Sequence, residues 1–411
     1  MHDPSPDPLV KPESIQAVAG PSFPPLTPLE MALRFLKLGA IGFGGGVAVI
    51  ALMEQECVQR RQCIETEEFL HGVGLGQILG PFAVNTAFFI GYRLFGLGGA
   101  LLAQVAFLAP SVSLVIGLSW LYFSFNQIPS LQGALAGLAP VVIALILSAA
   151  WSMGRKSIKS TVAIALLVAA VVGSLVRLNP VWILAIAGLV GYLLKLGRLH
   201  SPKQSDSLML TLPLSMQGLL HPLSTTLPAT STLVTVGLST LAIVFFKVGL
   251  VFFGGGFVLI PVLHQQLVTQ LGWLTAREFI DGVAISQLTP GPMAVLATFT
   301  GYRVAGIPGA LVATVALFLP ATLLMWGISH FYQQLRQVTA VKDFLAGVNP
   351  AVVGLILAAA IALAPGALHW DRPLSLVLGA IALLLLTRFK WHPAFVLAIG
   401  ALTGTLASTW I

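Results

Sequence analysis

Two lysines and two glycine triplets share one spacing in this 411-residue chain. RFLKLGAIGFGGG places Lys37 ahead of Gly44, Gly45 and Gly46, and FKVGLVFFGGG places Lys247 at the same distance ahead of Gly254, Gly255 and Gly256. An ionisable group inside an apolar run is costly, so it usually faces a cavity and serves a function. A lysine there attracts anions, unless its long stem simply carries the charge to the membrane interface. Consecutive glycines let a helix end or bend while exposing backbone N–H groups, which form anion nests; close helix packing is the rival account. Further along, Gln77 precedes Gly80-Pro81, and Gln287 precedes Thr289 and Pro290-Gly291-Pro292. A proline after such a turn starts a new half-helix, whose N-terminal amides and dipole point at the membrane midplane. Asn85, Thr86, Thr289 and Thr298 add hydrogen-bond donors without adding negative charge, although polar groups also join helices to one another. Two such breaks facing each other across a two-fold axis would hold a tetrahedral dianion from both sides.

The elements that must position these residues come in duplicate. An offset of 210 (247 minus 37) also pairs Glu68-Phe69 with Glu278-Phe279, Gln77 with Gln287, Gly91-Tyr92-Arg93 with Gly301-Tyr302-Arg303, and Pro110 with Pro320. It extends to AGLAPVVIALIL (136–147) against AGVNPAVVGLIL (346–357), as in duplicated transporter folds whose substrate sites lie between the copies. The chain is 57 % hydrophobic and 9 % charged, and apolar stretches of spanning length recur from residue 31 onward. It is therefore expected to be an all-α polytopic membrane protein. Residues 1–30 are expected to be a disordered proline-rich tail, 31–198 the first transmembrane repeat, 199–232 a linker and 233–411 the second repeat. The tail has no basic-then-apolar core of a cleaved signal.

Each half shows apolar runs near 33–53, 69–95, 97–125, 131–153, 160–176 and 179–195, with counterparts 210 later. The second run breaks at its Gly/Pro cluster into pieces of about half-membrane length. If it crosses, the halves are parallel, and loop Lys and Arg split 9 against 8. If it re-enters, each half has five spans plus the broken segment and the halves are inverted. One side then carries 13 (Arg60, Arg61, Arg93, Arg155, Lys156, Lys159, Lys195, Arg198, Lys203, Arg336, Lys342, Arg388, Lys390) against 4. Positive-inside asymmetry selects inverted repeats. A thirteen-crossing variant, in which every run crosses and one extra span lies in the linker, also inverts the halves and splits 12 to 5. The net charge of +7 is thus read as topology and not as a nucleic-acid footprint.

Other reactive groups fit bland roles. Cys57 and Cys63 read as two free thiols in a loop, a poor metal site, and no cofactor is expected. Arg93 and Arg303 are interface anchors or an anion-gathering vestibule. Glu68, Glu278 and Asp281 favour helix N-termini; one of them, or His264, is a candidate for a coupling proton. No GxSxG, HExxH or Walker A motif is present, so neither hydrolase chemistry nor ATP-driven pumping has support, and no enzyme is expected. Transport is then secondary or passive, and a channel or an assembly protein without flux are the other classes in play.

The stretches FFGGGFVLIPVLHQQLV, LTAREFIDGVAISQLTPGPMAVLATFTGYRVAGIPGA and LFLP resemble the chromate ion transporter (CHR) family in its long-chain, two-domain form. The resemblance spans residues 31–365 and implies chromate efflux across the bacterial inner membrane, with another ion exchanged or a proton coupled. The first copy departs from the family pattern: FGGGVAVI stands where FGGP and a histidine are expected, and LGPFAVNT where Pro-Gly-Pro is expected. Sulfate has the same charge and shape as chromate, and backbone amides distinguish the two poorly. A homodimer is compatible with this reading.

Overall fold

The computed structural model describes residues 26–43, 45–125, 128–199, 237–252, 256–330, 339–368 and 373–409. Among them the regular structure is all helical, as expected where lipid offers the backbone no hydrogen-bond partner. Residues 1–25 of the expected tail, most of the linker, Gly44, Gly254, Gly255, Lys203, Arg336 and Arg372 fall outside the described residues, and the last residues of the tail, from Pro28, belong to the first helix.

Helix α1 (Pro28–Ile41) opens on a capping box between Thr27 and Glu30, with Pro28 where its missing N–H costs nothing. It stops at Gly42, and α2 (Gly45–Glu54) runs on into a π-helical turn, Gln55–Arg60. The run near 33–53 was expected to cross as one span. The run is instead broken into two helices: α1 has 14 residues, about 21 Å of helix against a hydrocarbon core of about 30 Å. Arg34 of α1 pairs with Glu56 beyond α2, two residues that an uninterrupted helix would hold about 33 Å apart. The chain therefore doubles back between α1 and α2.

The next run doubles back as well. Helix α3 (Thr66–Ile78) ends at Leu79-Gly80-Pro81, and α4 (Phe82–Phe125) begins there. Glu68 pairs with Arg93, Gly72 packs on Phe89, and Gly76 packs on Phe82 and Thr86, the ordering of two antiparallel arms. The second copy repeats the device. Helix α8 (Leu238–Leu250) is followed by a 3₁₀ turn at Gly256–Val258, then α9 (Leu259–Leu263) and a π turn at His264–Gln270. Helix α10 (Ala276–Leu288) starts on a Thr275–Glu278 capping box, and a 3₁₀ turn at Met293–Val295 leads into α11 (Leu296–His330). Glu278 pairs with Arg303, and Gly282 packs on Phe299 and Leu296. Each returning arm then kinks, at Phe95-Gly96 in α4 and Ala305-Gly306 in α11, with φ of +64° and +60° at the glycines. These angles suit glycine.

Helices α5 (Pro129–Ser157), α6 (Thr161–Leu175) and α7 (Pro180–Leu199) complete the first copy; α12 (Thr339–Ala367), α13 (Pro373–Thr387) and α14 (Pro393–Thr409) complete the second. Among the described residues four stretches are long and apolar enough to cross a membrane: Phe82–Phe125, Pro129–Ser157, Met293–Ser329 and Ala346–Ala367. The copies interlock. Helices α13 and α14 pack on α5, whereas α6 and α7 pack on α12, with α4 against α11 and α5 against α12 at the centre. Lipid removes the hydrophobic drive between helices, so close approach through small residues must hold them. Gly137 of α5 lies against Gly400 and Gly404, and Gly347 of α12 against Ala187 and Gly191; a Cβ on Gly137 or Gly347 would meet an opposing carbonyl at 2.0 or 2.1 Å. The thiols are not both in a loop. Cys57 is buried in the π turn, and the Cys63 N–H and thiol both point at its carbonyl, at 2.9 and 3.3 Å.

Candidate functional site

The four chain reversals meet at one place. Within each copy the glycine break abuts the start of the returning arm of the second hairpin: Gly46 lies against the Phe82 ring, and Gly256 against the Met293 side chain. Between copies the contacts are crosswise. The Gly291 N–H donates to the Gly42 carbonyl at 3.1 Å, and Gly80 sits against the Phe252 carbonyl, where a Cβ would fall 2.2 Å from the oxygen. The 210 offset relates Gly42 to Phe252 and Gly80 to Pro290, so both copies use the same pair of breaks. Gly80 and Gly291 have φ of +117° and +103°, a conformation that only glycine adopts readily. Ser111, midway along α4, donates its hydroxyl to the Pro290 carbonyl and fixes the second tip.

This crossing orients helix ends. The helical segments beginning at Gly45, Phe82, Gly256 and Met293 all start here, so four sets of N-terminal amides and four positive dipole ends converge at the centre. The first arms also end here, and their carbonyls carry the opposite sign. Two of those carbonyls, Gly42 and Phe252, are turned onto the opposing tips. Partial positive charge in a water-poor site is what an anion needs.

Of the residues singled out from sequence, Gly80, Pro81, Asn85, Thr86, Thr289 and Pro290 are buried at the crossing, while Gly291 and Pro292 are partly exposed there. Asn85 is 1 % exposed and its side-chain N–H₂ has no partner. A buried donor left unpaired costs about 1–3 kcal/mol, the position of a group waiting for a ligand. Thr86 and Thr289 donate back to the carbonyls of Phe82 and Ser286, and Thr298 bonds Thr314. Gln77 is exposed and Gln287 half-buried, each at the end of its arm next to the tip. Lys37 and Lys247 are not gathered here. Lys37 shares the exposed face of α1 with Leu33 and Leu36, and Lys247 lines an outer groove of about 710 Å³ among Ile243, Phe246, Leu250, Leu311, Val315 and Leu319. A lysine stem on such a surface snorkels.

Arg93 and Arg303 close the hairpin bases through Glu68 and Glu278. The repeat could not flag Ser111, because Ala321 stands at its counterpart. Gln104, which bonds Thr322 between α4 and α11 at 2.8 Å, has Thr314 at its counterpart. The offset does pair Tyr122 with Tyr332, but the donation of the Tyr122 hydroxyl to Asp281 at 2.9 Å is a contact between copies that the repeat does not encode. Among the described residues no His, Cys, Asp and Glu cluster has a metal-binding arrangement.

A family model described as "Chromate transporter" matches residues 29–192 and again 239–405. The chain is 31 % identical to the chromate transport protein of Cupriavidus metallidurans over 99 % of its own length and 98 % of the relative's. It is 34 % identical to that of Pseudomonas aeruginosa over 83 % and 82 %. An uncharacterized transporter of Bacillus subtilis aligns at 34 % identity with 41 % of this chain and 95 % of itself, a relative about one repeat long. No solved structure gives a significant match. Matched by the family model in both halves and aligned end to end with a chromate transport protein, this chain belongs to the chromate transporter family.

Proposed function

We propose that this protein is a multi-pass carrier of the bacterial inner membrane that moves a tetrahedral dianion, chromate in the first place and sulfate by the same chemistry, and that the dianion is held where the four chain reversals cross. The convergence of four helix N-termini carries this reading: dipoles and amides there replace hydration without the penalty of several buried charges. Backbone around Gly80–Phe82 and Pro290–Met293 lines the site, with the Asn85 amide, Gln77 and Gln287 as side-chain donors. The direction is efflux, by exchange for a second anion.

The proposed topology is an inverted repeat. Along α4 the contacts with the other copy run from its hairpin tip, Pro290 at Ser111, to its hairpin base, Asp281 and Arg303 at Tyr122 and Phe123. The first copy's own hairpin base, Arg93, adjoins the opposite end of α4. Hairpins entering from opposite faces account for this order. Arg60, Arg61, Arg93, Arg155, Lys156, Lys159, Arg388 and Lys390 then share the cytoplasmic face, and Arg177, Arg277 and Arg303 lie on the other, in keeping with positive-inside bias. Both runs re-entering leaves four crossings per half, so inversion needs one additional crossing between the halves, nine in all.

The test is flux of radiolabelled sulfate and of chromate into proteoliposomes preloaded with unlabelled anion. Counterflow that overshoots equilibrium marks an exchanging carrier; flux without counterflow marks a channel, and no flux removes the reading.

A further inference from the structure

Asp281 lies one turn inside α10, and only 1 % of it is exposed. Its Oδ2 accepts from the Tyr122 hydroxyl at 2.9 Å and from Arg277 Nε at 3.2 Å, while its Oδ1 is buried without a hydrogen-bond partner. A structural ion pair would satisfy both oxygens, since a half-satisfied buried carboxylate is worse than an apolar residue of the same size. The free oxygen is one that a proton can occupy. The repeat does not demand an acid here, because the counterpart 210 residues earlier is His71, on the half-exposed side of α3 near Glu67.

The charged and titratable groups acting on Asp281 are few. Arg277 and Glu278 share its helix, and Tyr122 reaches it from α4. Glu278 is itself engaged by Arg303 of α11, and His264 of the π turn meets the Phe279 ring edge-on. The described side chains of α12 and α14 include no titratable group, and the basic pair of α5, Arg155 and Lys156, sits at the end of that helix remote from Ile128. Deprotonated, Asp281 balances Arg277. Protonated, it leaves the guanidinium uncompensated at the level of Asp281, about 14 Å along α10 from the tip at Pro290. A positive charge uncovered at that range strengthens binding of a dianion.

We propose that Asp281 is a proton-binding site linked to the oxyanion site, so that a proton and the dianion are taken up together. The step is a simple protonation: Oδ1 gains H⁺ from water, Tyr122 keeps donating to Oδ2, and no other bond changes. The linkage is reciprocal, so bound anion also raises affinity for the proton. Its sign makes inward proton flow drive anion inward, and efflux then requires anion exchange instead of proton antiport. The inference rests on the oxyanion reading above and adds its coupling residue.

The experiment is sulfate binding to purified full-length protein by calorimetry across pH 5–8, where sulfate keeps its double charge, with folding checked by thermal melting. In the wild type, affinity is expected to rise on the order of tenfold to a hundredfold as pH falls. Asp281→Asn is expected to bind at neutral pH as tightly as the wild type does in acid, with no pH response. Tyr122→Phe, which leaves the carboxyl titratable, is expected to keep a pH response with a moved midpoint. A wild-type pH response in Asp281→Asn overturns the proposal, as does loss of sulfate binding in a folded Asp281→Asn. If the wild type binds no sulfate or chromate at any pH, the oxyanion reading fails. The proton site is then judged separately, by whether an infrared carboxylic-acid C=O band of the wild type disappears in Asp281→Asn. Absence of that band overturns it.

Discussion

Replacing Gly80 by alanine perturbs the crossing with a single methyl group. The residue has φ of +117°, and the added Cβ would stand 2.2 Å from the Phe252 carbonyl oxygen, more than 1 Å inside ordinary contact. A non-glycine residue in that conformation costs about 1–3 kcal/mol, and forcing a methyl into a packed contact costs about 1–3 kcal/mol more. The total of about 2–6 kcal/mol cannot be absorbed by a flexible side chain, because the obstacle is backbone. One tip or the other must move by about 1 Å, a displacement large enough to cost a bound group on the order of a hundredfold. Gly74→Ala is the matched control. It lies in α3 with nothing within 4 Å of its built Cβ, and helix propensity favours alanine by about 1 kcal/mol. Sulfate and chromate flux in proteoliposomes, normalised to monodisperse protein, is expected to fall at least tenfold in Gly80→Ala and stay at the wild-type level in Gly74→Ala. Wild-type flux in Gly80→Ala refutes the reasoning, because it would mean that the crossing tolerates disorder.

Asn85→Val removes the unpaired buried donor and installs the residue that the second copy holds at Val295. Thermal stability is expected to hold or rise, while sulfate affinity in calorimetry drops by about 1–3 kcal/mol. Gln77→Ala and Gln287→Ala should each cost on the order of 1–3 kcal/mol in affinity, and the double variant should lose chromate and sulfate transport together, since neither amide reads the central atom. Lys37→Met and Lys247→Met keep stem volume on the outer surface and are expected to leave affinity within about twofold; a larger loss in binding assays would put the lysines back in the anion path.

The duplication, the helical class and the break in the second run were legible in the sequence because glycine and proline act locally and the 210 offset carries them into both copies. The first hairpin was harder to see. The sequence between α1 and α2 contains no proline, and the pairing of Arg34 with Glu56 that reveals the hairpin has no counterpart in the second copy, where Val244 and Gln266 stand. Asn85 was visible as a polar residue near a break, but its lack of a partner is a property of packing. Lys37 and Lys247 show the converse: a repeated charge marks a repeated position, and only the three-dimensional face on which it falls tells an inner cavity from the outer surface where both lie. Ser111 and Tyr122 lie in a long apolar helix and gain their roles from contacts with the other copy.

The central claim is that the dianion sits at the crossing of the four breaks. The most direct measurement is structure determination of the protein with bound chromate, locating chromium by anomalous scattering. The account predicts the anion between Phe82 and Met293, within hydrogen-bonding reach of the backbone amides there and of the Asn85 side chain. Chromium found instead in the outer groove beside Lys247, or at the Arg93 and Arg303 hairpin bases with the crossing empty, would contradict it.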